Sequence, residues 1–130
     1  MILDKKTIVF ERDEAGKLVP REVELVVDEE DEEQKALKGQ TVFITPMLRG
    51  EIRKMFAEIE KSKNDIDADL DGELIVRHCV KPSFTAEEVK DLKGHTASAL
   101  VNTILVNSGL DLGKTRKKAI QDKEDEFGKN

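Results

Sequence analysis

The spacing of the apolar residues changes once along this chain, at Thr45-Pro46, and that change restricts the fold more than any other feature. Before it, apolar residues come in short runs: TIVFE at 7–11, EVELVV at 22–27 and TVFI at 41–44. Runs of this length, rich in Val, Ile and Phe and bounded by turn residues, read as strands. RDEAGK at 12–17 has turn chemistry, because Gly16 can take φ > 0. The first two runs are therefore expected to form a hairpin, with the third as a separate short strand. The acidic run at 28–33 reads as a solvated loop.

After the change, apolar residues recur at helical spacing. Thr45 is the expected cap of a first helix and Pro46 its first residue, where no amide hydrogen is needed. Leu48, Ile52, Met55, Phe56 and Ile59 then share one face, and Lys61–Asn64 closes the helix. A second helix is expected from about Asp69 to Val80, stopped at Lys81-Pro82 because the residue before proline disfavours helix. Thr85 and Glu88 form a capping box for the next, with Phe84 and Val89 spaced as a hydrophobic staple and Gly94 as its end. A last helix over His95–Asn107 carries Ala97, Leu100, Val101, Ile104 and Leu105, and Ser108-Gly109 is its stop. The order favours an α+β fold, a small N-terminal antiparallel sheet (hairpin plus short strand) packed by three to four C-terminal helices. One domain is expected over 1–112, with 113–130 a charged mobile tail.

Composition narrows the function. The 130 residues suit one domain. A net charge of −6 argues against nucleic-acid binding through a basic surface. One cysteine rules out an internal disulfide, and two histidines with it are too few for an ordinary structural zinc site. No apolar run approaches the roughly 20 residues that span a bilayer. The opening MILDKKTIVF meets charges at once, unlike a signal peptide. A cytoplasmic protein without membrane or nucleic-acid partners is expected.

The stretch DIDADLDGELIV at 65–76 half-matches a calcium loop of the helix–loop–helix type. Asp67, Asp69, Asp71, Gly72 and Leu74 fill positions 1, 3, 5, 6 and 8, but position 12 is His78 where a bidentate glutamate belongs. That substitution removes two of roughly seven ligands and offers a hard cation an imidazole. The aspartates also suit a helix N-terminus, where negative charge is favoured, and that is how the segment is read. His78 and Cys79 are adjacent on a helix and do not face each other, so no thiol–base pair is expected and Cys79 reads as buried beside Ile75. His95 reads as a surface residue. GLDLGKT at 109–115 lacks the spacer and the preceding strand of a phosphate loop. No enzyme, metal or cofactor is expected.

Four segments together resemble the tail assembly chaperones of long-tailed phages and prophages: the strand and proline-led helix GQTVFITPMLRGEIRKMF, the acidic DADLDGELIVRHCVKPSFT, the capped FTAEEVKDL and the closing helix that ends NSGL. The likeness covers about residues 40–112. It implies a non-enzymatic protein that binds the long helical tape-measure protein, keeps it soluble, helps recruit tail-tube subunits and is absent from the mature virion. It also implies possible self-association, since related folds can assemble as a spiral around the tape measure, and in some members a longer frameshifted product. Two other readings remain at this point: a structural tail or head–tail adaptor, and a divergent single-loop calcium-binding protein.

Overall fold

Val42 and Ile44, two residues apart, turn to the core while Thr41 stays outside, and this alternation makes Thr41–Ile44 (β2) the middle of a three-stranded antiparallel sheet. Arg21–Glu24 (β1) pairs with it on one side, Val23 opposite Val42, and Cys79–Lys81 (β3) on the other, Cys79 opposite Ile44. The computed structural model describes residues 1–62 and 69–110. Within them, helices follow as Glu32–Lys35 (α1), Arg49–Lys61 (α2), Leu70–His78 (α3), Ala86–Lys90 (α4) and Gly94–Asn107 (α5). The expected α+β arrangement is therefore present, with two strands of the sheet in the N-terminal half and the third, β3, supplied by the chain after α3. The core lies between β2, α3 and α5, and its largest fully buried apolar side chains are Ile44, Met47, Ile75 and Ile104.

The local signals that held are those in which side chain and backbone satisfy each other. Thr85 Oγ1 accepts the Glu88 amide at 3.1 Å, and the Glu88 carboxylate accepts the Thr85 amide at 3.1 Å. Val89 is buried and Phe84 half-buried against the core, as a staple requires. Gly109 takes φ 94°, and the Leu110 amide reaches back to the Leu105 carbonyl at 3.0 Å, closing α5 as its sequence foretold.

Five boundaries differ from the sequence reading. Residues 7–11 are not a strand. Lys5–Thr7 form a 3₁₀ turn, and a single bridge, Arg12 to Leu18, closes the expected turn around Gly16, whose φ is 81°. Ile8, Val9 and Phe10 are consecutive, so they have no single face to give a one-sided sheet, whereas Val23 and Leu25 do. The acidic run is not wholly loop. Asp31 Oδ1 accepts the Glu33 and Gln34 amides at 3.0 and 3.2 Å and caps α1, and the buried Gln34 side chain accepts the Asp28 amide at 2.9 Å. α2 begins at Arg49 rather than at Pro46, because Pro46 and Met47 are buried in extended chain and the Met47 amide donates to Ser108 Oγ at 2.8 Å. α3 stops at His78, and Cys79–Lys81 leave as a strand, the extended form that Pro82 favours in the residue before it. Gly94 opens α5 instead of ending α4, which Asp91 and Leu92 have already closed through amides 3.1 Å from the Glu88 and Val89 carbonyls. The tail expected beyond 112 and the residue Asp67 lie outside the described residues.

Candidate partner-binding groove

α2 has the spacing of an amphipathic helix but buries none of its 13 residues. Ile52 and Met55 lean against the core, while Phe56 and Ile59 remain 55% and 46% exposed. Across from them stand Leu70 and Leu74 of α3, Val101 and Leu105 of α5, and Leu110 beyond its end. Together these side chains line a cleft of about 240 Å³. Its one charged wall residue among the described residues is Asp71, whose carboxyl is held above the usual range first by burial and then by neighbouring Asp69. A groove with apolar walls and one charge at its edge suits the apolar stripe of an amphipathic helix.

A larger, shallower hollow of about 460 Å³ lies between α3 and α4. Asp69, Glu73, Arg77 and Lys90 stand on its walls, so water competes well there and apolar burial offers less. The α2 cleft is the stronger candidate on physical grounds.

The residues singled out from the sequence do not assemble into one site. Asp69 caps α3, its Oδ1 accepting the Gly72 amide at 2.9 Å. Asp71 stands at the groove. His78 is 3% exposed, and its Nδ1 lies 3.0 Å from the Thr45 carbonyl and 3.2 Å from Thr45 Oγ1. A carbonyl only accepts, so Nδ1 carries the proton. His78 Nε2 lies 3.2 Å from a Glu51 carboxylate oxygen but off the line of a hydrogen bond. Cys79 is buried as expected, and burial pushes its thiol up to about 11, so it stays protonated at neutral pH. Gly109 serves as a helix stop, and residues 111–115 of the GLDLGKT stretch lie outside the described residues.

His95 is exposed, yet it has a partner that sequence reading missed. Its Nδ1 lies 2.5 Å from Asp31 Oδ2, and its Nε2 lies 3.7 Å from Glu33 Oε2. The hydrogen bond to Asp31 is the main cause that raises the His95 pKa and lowers that of Asp31. The partners are 64 residues apart, and no local pattern connects them.

No helix among the described residues is long and apolar enough to cross a membrane. Comparison with known proteins gives no matching family model, curated protein or solved structure.

Proposed function

We propose that this chain is a tail assembly chaperone of a long-tailed phage or prophage. In this reading it is non-catalytic, works in the host cytoplasm, binds the tape-measure protein and helps to bring tail-tube subunits to it. It then leaves before the particle is complete. The observation that supports this most is the cleft between α2, α3 and α5, with Phe56 and Ile59 standing open at its lip. A tape measure is a long amphipathic helix whose exposed apolar stripe aggregates, and a groove of this kind covers such a stripe through anchors three to four residues apart. The net charge of −6 on each bound copy would keep the complex dispersed. Association itself costs several kcal/mol, so one copy binds weakly and several copies along one helix gain by avidity.

The test is co-expression with a tape-measure protein. The proposal requires that the tape measure become soluble and co-purify with more than one copy of this chain, and that Phe56→Asp abolish both effects. If the tape measure stays insoluble and this chain is instead found in mature particles, it is a structural adaptor.

A further inference from the structure

We propose that a second copy of this chain covers the outer edge of α2 in the free protein. Two α2 helices pair antiparallel about a two-fold axis that passes beside Phe56. The charge pattern along the helix carries the inference. Arg49, Arg53 and Glu60 are all exposed and lie on one flank of Phe56, at spacings of four and seven residues. The basic pair occupies the N-terminal half of that flank and the acid the C-terminal half. A two-fold axis perpendicular to the helices brings each flank against its own copy in the opposite direction. Arg53 then meets Glu60 of the second copy, and the same pair forms again on the other side of the axis. The opposite flank carries Ile52 and Ile59, which the same register sets beside each other across the interface. Phe56 meets its own symmetry mate at the centre, which removes from water the most exposed large apolar residue of α2.

The pairing is weak by construction. A helix of 13 residues is about 20 Å long, too short to bury the ~1,200 Å² at which stable interfaces begin. The net charge of −6 on each copy opposes association, and the local Arg–Glu pairs have to offset it. The interface uses Phe56 and Ile59, which also form the lip of the groove, so a helix entering the groove displaces the second copy. The self-pairing does not depend on what that helix belongs to.

Sedimentation equilibrium on the full chain tests it. The apparent mass is expected to climb from that of a monomer toward twice that value as concentration rises to about 1 mM. Arg53→Glu and Glu60→Arg should each raise the dissociation constant at least about tenfold, and the double reversal should restore it. Glu60→Arg is the sharper arm, because it lowers the net negative charge and on that ground alone would favour association. Both residues are exposed, so an unchanged circular dichroism spectrum is expected for all three variants. A chain that stays monomeric throughout overturns the proposal. So does a dimer that ignores the single reversals, or one that the double reversal fails to restore. None of these outcomes bears on whether the groove takes a tape measure.

Discussion

Gly72 shows how tightly one position can be specified. A Cβ there would stand 2.1 Å from the Asp69 carboxylate and 2.9 Å from Val89 Cγ1. The residue must be glycine for the Asp69 cap to form and for α4 to approach α3. Gly72→Ala is expected to destabilise by about 2–3 kcal/mol, and Asp69→Ala by about 1 kcal/mol through loss of the cap. The two should not add. With the Asp69 carboxylate gone, part of the clash goes with it, so Gly72→Ala should cost less in that background. Urea unfolding of the four proteins gives the cycle, and strict additivity would mean that the clash is with Val89 alone. Thr85→Ala should likewise cost about 1 kcal/mol, because it leaves the Glu88 amide without its acceptor. Calcium at millimolar concentration should not raise Tm relative to magnesium, since Asp69 already spends an oxygen on the helix start. A selective calcium shift of several degrees would restore the loop reading.

Among the elements, α1 and α5 are joined by the His95–Asp31 pair, and that joint depends on pH. The raised His95 pKa contributes stability that is complete below about pH 6.5 and is lost as pH rises through the raised value. The lowered Asp31 pKa contributes stability that is present above about pH 4 and is lost as pH falls through the lowered value. The joint is therefore strongest between about pH 4 and pH 6.5. The protection of the α1 amides relative to their intrinsic exchange rate should be greatest in that window, and His95→Gln should flatten that profile. An unchanged profile in the variant would place the dependence elsewhere. The sequence could reveal β2, α5 and the capped start of α4, because each is written in residues a few positions apart. It could not reveal β3. Cys79 and Val80 continue the apolar content of α3, and only the need of β2 for a second partner draws them into the sheet. The Asp31–His95 joint was hidden for the same reason. The groove was half-visible: the α2 stripe of Ile52, Met55, Phe56 and Ile59 was evident, but a stripe does not say which of its members the fold will leave uncovered.

For the molecule as a whole, the question is how much of the core depends on α2. The buried apolar side chains belong to β2, the chain after it, α3, β3, α4 and α5, and none to α2. Replacing Phe56 by Asp should consequently shift Tm by no more than a few degrees while removing the apolar lip of the groove. Amides of α2 should also exchange faster than those of α5. A collapse of the fold in Phe56→Asp would show that α2 is part of the core after all, and the groove would lose its standing as an open surface.

Two buried hydroxyls, one on α5 and one at its C-terminal cap, have a consequence for how the chain is made. Thr103 Oγ1 accepts the Val26 amide at 2.9 Å and gives its own hydrogen to the Ala99 carbonyl. Ser108 Oγ accepts the Met47 amide at 2.8 Å and donates to the Ile104 carbonyl. These anchors join positions 77 and 61 residues apart. A ribosome delivers the N-terminal strands first, and they must wait for α5 to clear the exit tunnel before those amides find their acceptors. Until then the cluster around Val42, Ile44 and Met47 lacks the α5 side chains that complete it. A truncation before Gly94 should therefore leave those apolar side chains open to water and aggregate.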